Sequence, residues 1–168
     1  EIQLYKNGYK AMICNTIEIS NREQDFIDML RQNVMDGIIT GAHSLQDYAY
    51  LNLNKPVVAM DRNLGPDIPI IHSDHKAGGR MAARLLLDAG CRNVLNFGGS
   101  FRVHTPSNDR HQEFNRVMEE NGASVKTIEM AWNMMEYDYY CRIMEQYMDI
   151  YRDIDGVFTT DIGALYCL

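Results

Sequence analysis

Several features that would assign a function at once are missing from this sequence. Its four cysteines contain no C-x-x-C pair, and no complete G-x-G-x-x-G fingerprint follows any apolar run. The cysteine spacing argues against a structural zinc site, and the glycine spacing argues against a dinucleotide site. No Ser-His-Asp or Cys-His arrangement indicates a nucleophile, and no pair of carboxylates indicates acid–base catalysis. We therefore predict a protein that is not an enzyme and that needs no cofactor or metal.

Positive charge and long apolar runs are also scarce. The chain has 16 Lys and Arg against 23 Asp and Glu, a net charge of −7. Such a surface binds phosphate backbones poorly, so any DNA-binding surface must lie outside this chain. No apolar run approaches the roughly 18 residues that cross a membrane, so no membrane partner is expected. The cysteines lie mostly in or beside apolar stretches, which predicts reduced core or near-core residues of a cytoplasmic protein: Cys14, Cys91, Cys141 and Cys167.

The apolar pattern alternates between short runs and longer helical patterns. The short runs predict strands, mostly buried on both faces: Tyr9–Cys14, Gly37–Thr40, Val57–Met60, Ile68–Ile71, Val94–Gly98, Val125–Ile128 and Gly156–Thr159. The longer patterns predict helices: Asn21–Gln32, His43–Leu53, Lys76–Ala89, Asn108–Asn121 and Met135–Tyr151. Ser20 with Glu23 predicts one capping box, Asn108 and Asp109 are candidate caps, and Gly90 and Gly122 are candidate helix stops. This alternation predicts an α/β fold with doubly wound parallel sheets.

One connection breaks the alternation. The runs ending at Met60 and beginning at Ile68 are joined by a loop without a helix, which predicts a change of direction or a crossing between lobes. We place the boundary near Ser73, giving a partial N-terminal lobe (1–73) and a partial C-terminal lobe (74–168). The chain opens as the end of a helix stopped by Gly8 and ends inside an apolar helical pattern, so both ends look cut.

Polar side chains collect after the predicted strands. In open parallel sheets, ligands bind beyond the carboxyl ends of the strands. The segments there are Asn15-Thr16, Gly41–His43, Asp61–Asn63, His72–His75, Gly98–Phe101, Trp132-Asn133 and Thr160-Asp161. Hydrogen-bonding groups with two aromatic rings suit a polyhydroxylated ligand.

Each candidate also has a purely structural interpretation. Asp61-Arg62 could be a local surface ion pair, Trp132 could be core packing, and Arg110 could be a solvated charge. Thr160-Asp161 could simply cap the last helix. His72-x-Asp74-His75 has the residue types of a metal site, but no further ligand is evident nearby.

A set of short motifs then follows in a fixed order along almost the whole chain. They are Met35–Ile39 (M-D-G-I-I), Pro56–Arg62 (P-V-V-A-M-D-R), Asp74–Gly78 with Gly90–Val94, Gly98-Gly99 with Asn108–Arg110 and Phe114, and Gly156–Asp161 (G-V-F-T-T-D). Together they resemble the effector-binding core of LacI/GalR-type transcriptional repressors, whose fold is shared with periplasmic sugar-binding proteins. The resemblance implies two lobes of the periplasmic binding protein type I kind, both incomplete here.

The resemblance also implies roles for individual residues. It places Asp61 and Arg62 in an inter-lobe effector cleft, with Arg110 as a clamp, Trp132 as a stacking ring, and Thr160 and Asp161 nearby. With the strand-end loop residues, the predicted ligand-binding set is Asp61, Arg62, Asp74, Phe101, Arg110, Trp132, Thr160 and Asp161. The sequence departs from the family pattern at Thr160, where Asn is usual, at Glu113, where Gly is usual, and at Cys91, where His is usual.

The resemblance implies a cytoplasmic, homodimeric repressor that binds operator DNA through an N-terminal helix-turn-helix outside this chain. The segments His43–Leu45, Asp61-Arg62 and Asp74–Lys76 look most like repressors of sucrose operons, which implies a sugar or sugar phosphate as effector. The alternative is a periplasmic or extracellular sugar-binding protein of a transport system. An enzyme with a nucleotide-type α/β fold is disfavoured because no phosphate loop is present.

Overall fold

The computed structural model describes residues 2–16, 22–41, 48–98, 101, 105–131, 136–160 and 162–167. The chain divides into two compact units, residues 1–71 and 72–168. The lobe boundary near Ser73 and the function of each lobe stay predictions. Among the described residues, no helix combines the length and the apolarity needed to cross a membrane.

The first unit is built on a small parallel sheet. Its elements are α1 (Ile2–Lys6), α2 (Arg22–Arg31), β1 (Ile38–Thr40), α3 (Tyr48–Leu51), β2 (Val57–Met60) and β3 (Ile70–Ile71). The strand order is β1-β2-β3, with Ile39 opposite Val58 and Ala59 opposite Ile70. The buried core of this unit consists of Ile27, Leu30, Ala49, Tyr50, Val57, Ala59 and Leu64.

Two expectations for this unit need correction. The predicted strand Tyr9–Cys14 is wrong: the segment is irregular, and Met12 and Ile13 are 55% and 92% exposed. A strand needs a neighbour for its backbone hydrogen bonds, and no strand of the described residues pairs with this segment. The helix-free loop after β2 is present, but it leads to neither a change of strand direction nor a crossing between lobes. The next strand, β3, pairs with β2 in the same sheet and runs parallel to it.

The second unit is a larger βα arrangement. Its elements are α4 (His75–Asp88), β4 (Asn93–Gly98), α5 (Asn108–Glu120), β5 (Ser124–Glu129), α6 (Tyr137–Ile150), β6 (Gly156–Thr159) and α7 (Ile162–Leu165). The sheet is parallel with order β5-β4-β6, so β4 is paired on both sides.

Both faces of this second sheet are covered by helices. Successive strand side chains point to opposite faces. On β4, Val94 packs with Phe114 and Met118 of α5, whereas Leu95 and its alternate neighbours pack with residues of α6. The predicted α/β fold with doubly wound parallel sheets is confirmed.

Most helix ends agree with the sequence signals. Gly90 and Gly122 adopt φ of +89° and +76° just after α4 and α5, as expected for helix stops. The capping prediction for α5 is wrong, because Asn108 is already the first helical residue and Ser107 is the N-cap. The predicted box between Ser20 and Glu23 lies partly outside the described residues.

The cysteine prediction is wrong for one pair. Cys141 of α6 and Cys167, in the turn after α7, form a disulfide. These elements bring the two Cα atoms to 5.1 Å, within the usual disulfide range of roughly 4.4–6.8 Å. Cys91 is buried and Cys14 is exposed, both as free thiols.

Candidate ligand-binding site

The carboxyl ends of β4, β5 and β6 lie side by side at one edge of the second sheet. Phe101 follows β4, Glu129 ends β5, and Thr160 follows β6. The backbone N–H of Phe101 donates to Glu129 Oε1 at 3.0 Å, which ties the loop after β4 to the neighbouring strand. This edge is where ligands bind in sheets of this kind.

A chain of hydrogen-bonded polar side chains, with His111 and Asn96 buried at its centre, reaches this edge from inside the unit. Thr160 Oγ1 lies 3.0 Å from His111 Nε2, and His111 Nδ1 lies 2.7 Å from Asn96 Oδ1. Asn96 Nδ2 donates to Asn115 Oδ1 at 2.7 Å, and Asn115 Nδ2 donates to Thr127 Oγ1 at 2.8 Å. The chain therefore links Thr160 to the interior through α5 and the middle of β4.

Burial decides the charge of His111. The residue is only 3% exposed. Burial first, and the positive charge of Arg110 second, lower the pKa of His111 to about 4. The imidazole is therefore neutral at pH 7, with one N–H donor and one acceptor nitrogen.

Glycine at position 98 makes room for two rings beside this chain. The ring of Phe101 stands edge-on to His111, with the centroids 6.0 Å apart. A Cβ on Gly98 would lie 2.7 Å from Phe101 Cζ and 3.3 Å from the His111 ring. A larger residue there would displace the aromatic group that covers the end of β4.

Arg110 is held by a histidine and is not simply a solvated charge. Its Nε and Nη2 lie 3.2 Å and 2.6 Å from Nδ1 of His75, the first residue of α4. Because a guanidinium can only donate, His75 Nδ1 is the acceptor. Gly79, one turn later, permits the close approach: a Cβ there would lie 2.2 Å from the carbonyl oxygen of Arg110.

Glu113 of α5 also connects this helix to α4. Its carboxylate accepts from Arg80 of α4 at 2.9 Å and from Arg116 of α5 at 2.8 and 2.9 Å. Hydrogen bonds from Arg116 and then Arg80 lower the pKa of Glu113 to about 2. The residue that replaces the usual Gly therefore contributes a link between α4 and α5.

In the first unit, Arg62 after β2 is buried and paired. Its Nη1 donates to Glu23 Oε1 at 3.0 Å, and its guanidinium carbon lies 5.2 Å from the ring centroid of Tyr50. The Tyr50 hydroxyl donates to the same Glu23 oxygen. Burial, followed by the hydrogen bond to Glu23, raises the pKa of Tyr50. The interpretation of Asp61-Arg62 as a local surface ion pair is wrong, because Arg62 is 4% exposed.

Asp61 itself has an unusual backbone. Its φ is +50°, and its N–H donates to the carbonyl of Ile71 at 3.0 Å. Residues other than glycine rarely adopt this conformation, and they concentrate at functional sites. The strain is an independent reason to keep Asp61 as a candidate.

The predicted residues thus fall into separate groups. Phe101 and Thr160 share one sheet edge around His111, and Arg110 lies one residue before it on α5. Asp74 is the N-cap of α4, where its carboxylate accepts from the Ala77 N–H at 2.8 Å. Trp132 and Asp161 lie outside the described residues.

Sequence analysis did not predict the contacts that hold these candidates in place, which are made by Glu23, Tyr50, His75, Asn96 and His111. Only His111 left a signal, since His111 and Asn115 are four residues apart on a helix and so face the same side. The described residues contain no group of three or more His, Cys, Asp or Glu side chains arranged to hold a metal ion.

Solved structures share this architecture. One is a periplasmic binding protein/LacI transcriptional regulator from Alkaliphilus metalliredigens QYMF, complexed with D-xylulofuranose. It matches with a TM-score of 0.81 and 26% identity, over 98% of this chain and 62% of that one. The Cra regulator from Pseudomonas putida, in complex with fructose 1-phosphate, matches with a TM-score of 0.82 over 97% and 62%. At 21% identity this second likeness supports the fold alone. The chain has the fold of the effector-binding domains of such regulators.

Similar proteins of known name identify the family to which the chain belongs. The sucrose operon repressor of Streptococcus mutans is 43% identical over 117 residues, covering 70% of this chain and 37% of the relative. That of Lactococcus lactis is 31% identical over 164 residues, covering 96% and 50%. The ribose operon repressor of Halalkalibacterium halodurans is 32% identical over 158 residues. This chain belongs to the LacI family of transcriptional regulators. It spans at most about half the length of these relatives, and no family model matches the sequence.

Proposed function

We propose that this chain is the effector-sensing core of a sugar-responsive transcriptional repressor, and that its ligand is a small sugar or sugar phosphate. The observation that carries the proposal is the edge of the second sheet. There the hydroxyl of Thr160 and the ring of Phe101 both contact the side chain of one neutral histidine, His111. Hydroxyl-bearing and aromatic side chains are what a sugar ring needs for recognition.

The positive charge near this edge suits a phosphorylated sugar. Arg110 is fixed in direction by two hydrogen bonds to His75, so part of the ordering of its long side chain precedes ligand binding. Its remaining donors suit a phosphate or a pair of hydroxyls. The structure from Alkaliphilus metalliredigens, which is 26% identical, holds D-xylulofuranose, a sugar with several hydroxyls.

Binding, rather than a chemical reaction, would carry the signal. A ligand that prefers one conformation of the sensor shifts the population towards it, and the shift changes the affinity for operator DNA. Operator binding is proposed for an N-terminal helix-turn-helix outside this chain, in a cytoplasmic homodimer. With a net charge of −7, this chain is itself poorly suited to bind the phosphate backbone, so we propose the DNA-binding surface for that other segment.

The test is a thermal-shift panel on the complete protein, with sucrose, fructose, ribose, their phosphates and purines. We expect one sugar or sugar phosphate to raise Tm in a concentration-dependent way. Arg110→Ala is expected to remove the shift, whereas Arg84→Ala is the matched control because Arg84 is exposed on α4. A shift produced by purines alone, or equal shifts in both variants, would contradict the proposed effector class or site.

One observation favours the alternative, a secreted sugar-binding protein of a transport system. The Cys141–Cys167 disulfide is more usual in oxidising compartments. The same protein distinguishes the two candidates in a DNA-binding assay with the promoter region of its own operon. Sugar-sensitive, sequence-specific binding supports the repressor, and sugar binding without any DNA binding supports the transport protein.

A further inference from the structure

At the proposed site, the hydroxyl of Thr160 is in direct contact with the ring of His111. Thr160 follows β6 directly and is exposed, whereas His111 on α5 is buried. The inference below rests on the proposed function, because it concerns how this pair meets a ligand.

Hydrogen-bond directions along this chain of polar side chains follow from the orientation of its two amide groups, Asn96 and Asn115. Asn115 uses its amide nitrogen to donate to Thr127 Oγ1, so its oxygen accepts from the amide nitrogen of Asn96. The oxygen of Asn96 therefore faces His111 Nδ1 and needs a donor there.

A neutral imidazole carries its proton on one nitrogen only. With the proton on Nδ1, donated to Asn96, the other nitrogen of His111 is an acceptor. Thr160 Oγ1, 3.0 Å from that nitrogen, must supply the proton of this second hydrogen bond. The hydroxyl proton of Thr160 is then directed into the protein, and only its lone pairs remain for a ligand.

We infer that His111 is a positioning residue that fixes the Thr160 hydroxyl as an acceptor-only group, so the site selects ligands with a hydrogen-bond donor at that point. A sugar hydroxyl meets this requirement by donating its proton to Thr160. A ring oxygen, an ether oxygen or a fluorine in the same place does not, because each can only accept. Rotation of the hydroxyl is costly, because it would leave the acceptor nitrogen Nε2 of the buried His111 without its hydrogen-bond donor.

The ligand test compares the complete protein with Thr160→Val, which keeps the shape of the side chain and removes the hydroxyl. The probes are fructose and sucrose, each with its monodeoxy and monodeoxyfluoro derivatives. At one ring position, both derivatives are expected to bind about 3- to 10-fold more weakly than the parent sugar, as for one lost neutral hydrogen bond. In Thr160→Val the penalty at that position should vanish, while penalties at other positions remain.

Two histidine variants separate positioning from support of the fold. His111→Asn has a shorter side chain that can bond Asn96 but does not reach Thr160, whereas His111→Gln has the reach for Thr160. We expect His111→Asn to bind the parent sugar and its fluoro derivative with similar affinity. We expect His111→Gln to keep more of the preference for the parent sugar. Equal discrimination in both variants would mean that His111 acts on the fold alone, and would overturn the inference.

A ligand-free measurement tests the same assignment. In protein labelled with 15N-histidine, the His111 signals should show a protonated Nδ1 and an unprotonated Nε2, identified by their loss in His111→Asn. The opposite tautomer would overturn the inference and leave the proposed function intact. Absence of binding by any sugar or sugar phosphate would instead refute the proposed function, and the inference with it.

Discussion

Arg62 and Glu23 form an ion pair inside the first unit, with side-chain exposures of 5% and 2%. The two residues come from the end of a strand and from the first turn of a helix, 39 positions apart in the sequence. Removing one member of such a pair is strongly destabilising, because the buried charge of the other member loses its counter-charge. The pair therefore stabilises this unit, and it also holds the candidate ligand-binding residue Arg62, next to Asp61, in place.

The first prediction concerns this pair. Glu23→Ala should lower the free energy of unfolding by about 3–5 kcal/mol, because it removes the carboxylate that pairs with the buried guanidinium of Arg62. The matched control is Asp28→Ala, which breaks the exposed Asp28–Arg31 pair and should cost less than about 1 kcal/mol. Urea unfolding of both variants makes the comparison, and similar costs would refute the role given to burial.

The second prediction concerns pH. The pKa of His111 is lowered to about 4 in the folded protein, against 6.5 for an ordinary histidine. The unfolded chain therefore binds the proton first as the pH falls, so the stabilising contribution is complete above pH 6.5 and is lost towards pH 4. At about 1.4 kcal/mol per pKa unit, the loss across this window is roughly 3 kcal/mol.

The measurement is the difference in unfolding free energy between the wild type and His111→Asn, followed from pH 7 to pH 4. The difference should shrink as the pH falls, because the variant cannot take up the proton at that position. An imidazole that titrates near its ordinary pKa in NMR spectra would contradict the prediction.

Local signals predicted the second unit well. The ends of α4 and α5 agree with prediction because Gly90 and Gly122 adopt a left-handed backbone conformation that other residues avoid. β4 was recognisable as a short apolar run, since its side chains are buried on both faces of the sheet. These features depend on neighbours in the sequence, which are visible without a structure.

The strand that failed and the contacts that were missed depend on distant partners. The segment Tyr9–Cys14 has the composition of a strand, but pairing requires a second strand at the right place. The ion pair of Glu23 and Arg62 leaves no periodic trace across 39 residues. Asn96 looks like an ordinary polar residue in an apolar run until α5 is seen to place His111 above it.

The third prediction concerns the cysteines. Peptide mapping of the unreduced, alkylated protein should show Cys141 and Cys167 in one linked fragment, with Cys14 modified in the native state and Cys91 modified only after unfolding. Cys167→Ser should lower stability by about 3.5 kcal/mol, the chain-entropy value for a loop of 26 residues. The control is Cys14→Ser, which should change little, and alkylation of all four cysteines without reduction would refute the pairing.

The last prediction compares two adjacent glycines in α4. A Cβ on Gly79 would lie 2.2 Å from the carbonyl oxygen of Arg110 and 3.1 Å from the backbone nitrogen of Phe114, whereas a Cβ on Gly78 would meet nothing within 4 Å. Gly78→Ala should therefore raise stability by about 1 kcal/mol through helix propensity. Gly79→Ala should lower it by about 1–3 kcal/mol, because α4 and α5 must move apart.

The same movement would lengthen the hydrogen bonds between Arg110 and His75, so sugar affinity should fall in Gly79→Ala and stay unchanged in Gly78→Ala. Thermal unfolding and sugar titration of both variants measure the two effects, and equal behaviour of the pair would show that this helix contact does not hold Arg110 in place.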